Sequence, residues 1–102
     1  MQRHENLLIT TMEECAEIQQ SISKLLRFGD LNYCKEQDAI IDNNYNILKE
    51  YEQLKEMFNI LLEYHILEDL TEEQKDEIRH NKRTKVFRYI EESKQLGLVE
   101  DI

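Results

Sequence analysis

The chain has no proline, no tryptophan and only two glycines, Gly29 and Gly97. Few residues are therefore available to break a helix or make tight turns, which excludes a turn-rich sheet protein and predicts an all-α fold. Cysteine is scarce as well. Cys15 and Cys34 stand alone, outside any Cys-x-x-Cys or Cys/His pattern of the kind that holds zinc, and both are read as reduced thiols. No apolar run reaches the length of a signal peptide or membrane span, so a soluble, cytoplasmic protein without a membrane partner is expected. Positive charge is in deficit, with 13 Lys and Arg against 22 Asp and Glu and a formal charge of −9. That balance excludes a general nucleic-acid binder, whose affinity comes from neutralising phosphates with Lys and Arg. Cations or basic partners suit it better.

What the chain has is helical periodicity. At 102 residues it fits a single domain, residues 1–102, with a modest core that favours assembly into an oligomer. The first helix is expected from about residue 4 to Phe28, stopped by Gly29 in a left-handed conformation. Thr10, Glu14, Glu17, Ser21, Lys24 and Phe28 share one stripe of it. Leu8, Met12, Cys15, Ile22 and Leu25 or Leu26 form an apolar stripe beside the first, which places the two acids at the edge of a seam. Residues 30–42 read as a loop with a short helical turn.

A second helix is expected from Asp42–Asn44 to about Glu68, with Ile47, Tyr51, Leu54, Phe58, Leu61 and His65 as its bundle seam. On that reading His65 is a seam residue. Glu50 and Gln53 lie on a neighbouring stripe. Thr71-Glu72-Glu73-Gln74 forms a capping box for a short third helix ending near His80 or Asn81. A final helix follows from about Arg83 to Leu96, closed by Gly97-Leu98 in a Schellman-type end. The expected architecture is an antiparallel bundle of two long and two shorter helices.

Glu14 with Glu17, and Glu50 with Gln53, are i, i+3 pairs on the two long helices. Packed antiparallel, such pairs converge four oxygen-bearing side chains on one interior site, and hard oxygen donors suit Mg²⁺ or Mn²⁺. Against this stands the ordinary occurrence of Glu-x-x-Glu spacings on solvated helix faces. Lys24 and Arg27 follow on the first helix, either as solvated charge or as phosphate contacts. Arg79, Lys82, Arg83, Lys85 and Arg88 form a basic group that reads as a counter-surface for acidic helices or as the completion of a phosphate site. His4 and His80 sit at helix ends. The five tyrosines read as packing residues, with Tyr33 also within reach of a nucleobase.

Glu13-Glu14-Cys15-Ala16-Glu17 followed by Lys24 and Leu26-Arg27-Phe28-Gly29, then Asn46-Ile47-Leu48-Lys49-Glu50-Tyr51-Glu52-Gln53-Leu54, resembles the MazG-like all-α nucleotide pyrophosphohydrolases, especially small phage-encoded ones. The tail Lys85 to Leu98 adds to the likeness. The resemblance implies an enzyme that uses Mg²⁺ to split a nucleoside triphosphate into monophosphate and pyrophosphate, as a homo-oligomer, dimer or tetramer, in a host cytoplasm. It implies Glu14, Glu17 and Glu50 as metal-holding catalytic residues, with Gln53 where the family has Asp. Lys24, Arg27, Arg83 and Lys85 are then substrate-binding candidates. A neutral Gln removes one negative charge from the site. Two alternatives follow: a nucleotide-binding or sequestering protein of the same fold that has lost hydrolysis, and an acidic helical adaptor for a protein partner.

Overall fold

The computed structural model describes residues 1–100. The chain forms α1 (Arg3–Phe28), β1 (Leu31–Cys34), β2 (Ala39–Asp42), α2 (Asn43–Glu63) and α3 (Glu72–Gln95). Two compact units divide it, Met1–Glu68 and the segment from Asp69 onward. Among the described residues no helix is long and apolar enough to cross a membrane.

Two parts of the expected four-helix, all-α bundle are corrected. Residues 31–42 are an antiparallel hairpin, not a loop with a helical turn, with Leu31 opposite Asp42 and Cys34 opposite Ala39. Its turn is closed by Asp38 N–H donating to Lys35 C=O at 3.3 Å, with Asp38 at φ 49°. Asp is one of the few side chains that tolerate this left-handed conformation. Residues expected to form two short helices form the single 24-residue α3. Nothing between Glu72 and Gln95 is Gly or Pro, so no residue there interrupts the backbone ladder. The fold is three helices and one two-stranded sheet.

Both ends of α3 follow from its sequence. Thr71 Oγ1 accepts from Gln74 N–H at 3.1 Å and Gln74 Oε1 accepts from Thr71 N–H at 2.9 Å, a reciprocal cap. At the other end Gly97 N–H donates to Lys94 C=O and Leu98 N–H to Ser93 C=O, the Schellman pair, around Gly97 at φ 75°. Helix α2 stops at Glu63, short of the expected Glu68. The same pair of bonds closes it, His65 N–H to Leu62 C=O and Ile66 N–H to Leu61 C=O. His65, at φ 58°, occupies the position usually given to glycine, so it terminates the helix and does not extend its seam.

Helices α1 and α2 run antiparallel. The Arg3 guanidinium lies 4.4 Å from the Tyr64 ring centre at one end, and Asn43 Nδ2 donates to Gly29 C=O at 2.9 Å at the other. Their facing stripes are read from burial: Leu7, Thr11, Glu14, Ile18, Ser21 and Leu25 on α1, and Asn43, Ile47, Glu50, Leu54, Met57 and Leu61 on α2. Both repeat at steps of four and three, the spacing of a bundle seam. On α2 this seam keeps Ile47, Leu54 and Leu61 of the expected one, with Asn43, Glu50 and Met57 in place of the rest, and on α1 it lies beside the expected apolar stripe. Met12 on the apolar stripe of α1 is 69% exposed, and Tyr51 and Phe58 on α2 are exposed too.

The seam is unusually polar. Leu61 is its one buried hydrophobic residue among those described, and Thr11 and Asn43 are buried with it. Thr11 is satisfied by donating its hydroxyl to Leu7 C=O at 2.8 Å. Asn43 ties the start of α2 to the hairpin through Nδ2 to Asn32 Oδ1 at 2.6 Å and through its backbone N–H to Asp30 C=O at 2.8 Å.

Candidate metal centre

Glu14 and Glu50 occupy the middle of the facing seams, so antiparallel packing brings them together from opposite helices. Glu17, one turn after Glu14, completes a group whose carboxylate oxygens lie within 4.8 Å of one another. Glu14 and Glu50 are half-buried and Glu17 is exposed. The site therefore has two ligands rooted in the helix interface and one facing solvent.

Its electrostatics are those of crowded acids without an ion pair, with Lys49 as the nearby positive charge. Among the described residues none of the three carboxylates makes a salt bridge with Lys or Arg. Glu14 Oε2 and Glu50 Oε2 are buried and accept no hydrogen bond. A buried, unsatisfied carboxylate oxygen loses its hydration without replacement, which ordinarily selects against such an arrangement. The Glu17 carboxyl is held above its ordinary value, first by a hydrogen bond with Glu50, then by the Glu50 charge and by partial burial. A hydrogen bond from Glu14 and the charge of Lys49 pull the other way. Crowding of like charges favours the protonated form of Glu17.

The donor set fits a hard divalent cation. Three carboxylates from two rigid helices supply oxygen ligands only, with no Cys or His in the group. A bound cation would satisfy both orphaned oxygens and remove the repulsion that raises Glu17.

The other candidates divide by location. Gln53 is exposed and lines an open groove with Tyr45, Leu48 and Glu52 on α2. Lys24 stands two turns beyond Glu17 on α1 and lines a cavity of about 520 Å³ against the hairpin. Arg27, in the last turn of α1, lies 4.9 Å from the ring centre of Phe28. Arg83 and Lys85 belong to α3 in the second unit, where they stand over Phe87 and Tyr89 at 5.2 and 5.9 Å.

Tyr33 is placed differently from its sequence reading. It sits opposite Ile40 in the hairpin, and its hydroxyl donates to Asp38 Oδ1 at 2.6 Å. That bond pushes the Tyr33 phenol above its ordinary value. Although strand alternation separates it from Asn32 and Cys34, Tyr33 lines the same cavity beside Lys24 as they do. Sequence reasoning missed Asn43 and Asn46 near the site. Stepping back from Glu50 by four and then three residues reaches both, the same periodicity that picks out Glu14 and Glu17.

Compared with known proteins, the chain matches no family model, no curated protein and no solved structure.

Proposed function

We propose that the chain is a Mg²⁺-dependent nucleoside triphosphate pyrophosphohydrolase acting as a homo-oligomer, a dimer or tetramer. The observation that carries this reading is the convergence of Glu14, Glu17 and Glu50 with two buried oxygens left unpartnered. Acids kept at such a cost in a small protein call for a cation. The resemblance of Glu13–Gly29 and Asn46–Leu54 to the MazG-like enzymes supplies the substrate class.

Glu14, Glu17 and Glu50 would hold the ion, which supplies positive charge for phosphate oxygens and acidifies water; Mn²⁺ would serve in the same role. Glu14 and Glu50, rooted in the seam, fix the position of the site. Glu17, exposed, faces the side from which substrate and water arrive. Lys24, further along the same helix, balances phosphate charge. In the overall reaction one water oxygen bonds to phosphorus, the anhydride P–O bond breaks, and monophosphate and pyrophosphate leave.

The exposed apolar side chains support the oligomer. Leu8, Met12, Ile22 and Leu26 on α1, with Leu48 and Phe58 on α2, lie outside the seam of a helix pair whose one buried hydrophobic residue is Leu61. A second copy that covered them would supply the core one pair lacks.

Gln53 favours a second reading, a protein that binds nucleotide with its metal but does not hydrolyse it. The test is pyrophosphate release from a nucleotide panel with and without Mg²⁺, with light scattering on the same samples. Mg²⁺-dependent release that disappears in Glu17→Gln supports the enzyme. Binding with release seen only in Gln53→Asp supports the second reading, and neither binding nor release contradicts both.

A further inference from the structure

The cavity that Lys24 enters is built from three elements of the first unit. Helix α1 contributes Lys24 and Phe28, the hairpin Asn32 and Ile41, and α2 Asn43 and Asn46. Its volume of about 520 Å³ is in the range of small-molecule sites. Asn43 is spent on structure, since its Nδ2 donates to Gly29 C=O and Asn32 Oδ1 and so fixes the hairpin wall. The remaining polar groups are uncommitted. Asn32 keeps its own amide N–H groups, and the side chains of Asn46 and Gln37, which also line the cavity, make no hydrogen bond among the described residues. Lys24 makes no ion pair there either, in a chain with a large excess of acids.

The cavity therefore offers one cation, several amides that both donate and accept, and two aromatic rings, Phe28 and Tyr33. Arg27 lies over one face of the Phe28 ring, outside the cavity lining. Glu36 at the hairpin turn supplies a carboxylate, one oxygen of which accepts from the Cys34 thiol at 3.5 Å. The cavity also lies in line with the carboxylate group. Lys24 is about 10 Å along the helix axis from Glu17, and Asn46 about 6 Å from Glu50, at the standard rise per residue.

We propose that this cavity is the nucleoside monophosphate subsite of the carboxylate centre: a base stacked on Phe28, its polar edge read by Asn32, Gln37 and Asn46, and its phosphate on Lys24. The assignment rests on the nucleotide reading of that centre. A planar ring and amides without a fixed charge match a neutral base, whose edge carries both donors and acceptors. Glu36 accepts from sugar hydroxyls. The distal phosphates then extend towards Glu17 and Glu50.

The test uses the full chain in EDTA, titrated calorimetrically with the five common nucleoside 5′-monophosphates and their parent nucleosides. At least one monophosphate is expected to bind. Phe28→Ala and Asn46→Leu should each weaken it by about ten-fold, in keeping with the loss of one stacked base or one base-edge contact. Phe28→Trp should restore binding, and Lys24→Gln should abolish the preference for monophosphate over nucleoside. Tyr64→Phe, at the far end of the α1–α2 pair beside Arg3, should bind as the wild type does. Circular dichroism checks that each variant keeps its helices. No binding, or binding that ignores Phe28 and Asn46, overturns the subsite. Pyrophosphate release distinguishes this failure from failure of the enzyme reading. If release persists, needs Glu17 and ignores Phe28 and Asn46, the nucleoside sits elsewhere and the hydrolase stands. If monophosphate binding follows Phe28 and Asn46 but nothing is released, the subsite stands and the hydrolase falls.

Discussion

The α1–α2 pair and α3 are both rich in acids, but they treat them in opposite ways. On α3 and its approach, Glu72 and Asp69 pair with Lys75, Asp76 with Arg79, and Glu91 with Lys94. These are solvated local pairs, mostly one helical turn apart, and contribute little. In the seam of α1 and α2, Glu14, Glu17 and Glu50 have no cation and face one another. The i, i+3 spacing of acids occurs in both regions. What marks a site is acids converging from two elements without an ion pair, two of them half-buried.

The largest effects should break this contrast at its two extremes. Leu61→Ala, in the buried seam, is expected to lower unfolding free energy by about 2–5 kcal/mol. Ile78→Ala, exposed on α3, should change it by less than about 0.5 kcal/mol. Denaturant titration of both variants reads the difference, and equal losses would refute the division into a packed pair and a solvated helix. Next in size, Glu17→Gln or Glu50→Gln should reduce Mg²⁺-dependent pyrophosphate release by about 100-fold or more, the loss expected for a direct metal ligand against 10–100-fold for an outer-shell group. Asp76→Asn on α3 should leave release unchanged.

Helix ends give effects of about 1 kcal/mol, with opposite signs. Thr71→Ala removes the reciprocal cap of α3 and should destabilise by about 1 kcal/mol. His65→Gly relieves a left-handed backbone at the end of α2 and should stabilise by up to about 1 kcal/mol, a gain visible as a higher unfolding midpoint.

The stop of α1 and the ends of α3 were legible in the sequence, the end of α2 at His65 was not, and the seam was legible only in part, at Ile47, Leu54 and Leu61. Gly29 marks the stop of α1, and Gly97 and Thr71 mark the ends of α3, because glycine and the Thr/Gln box each have a local geometric meaning. Gly29 nevertheless combines φ 80° with ψ −174°, a glycine-only conformation that turns the chain into β1 and not the left-handed helical one expected. The hairpin was hidden because its turn, Lys35–Asp38, contains no glycine and its inner positions are Asn32, Cys34, Ala39 and Ile41, a weak alternation. The seam was misplaced because its buried positions include Thr11, Glu14, Asn43 and Glu50. Ranking stripes by hydrophobicity chose Leu8, Met12 and Cys15 instead, which face outward. The three carboxylates were legible from spacing and resemblance, but their lack of a partner appears only when both helices are placed.

The most direct test of the central claim uses that lack of partners and measures unfolding of the metal-free protein against pH, then with Mg²⁺ added. Glu17 has a folded value raised above the ordinary 4.5, so the folded state holds the extra proton between the two values. Stability in EDTA should therefore fall as pH rises from about 4.5 through the folded value of Glu17. Mg²⁺ should restore it above that range by binding the folded state alone, and Glu17→Gln should lose both the pH dependence and most of the Mg²⁺ effect. A wild-type midpoint unmoved by Mg²⁺ at neutral pH, or moved equally in Glu17→Gln, would contradict the account.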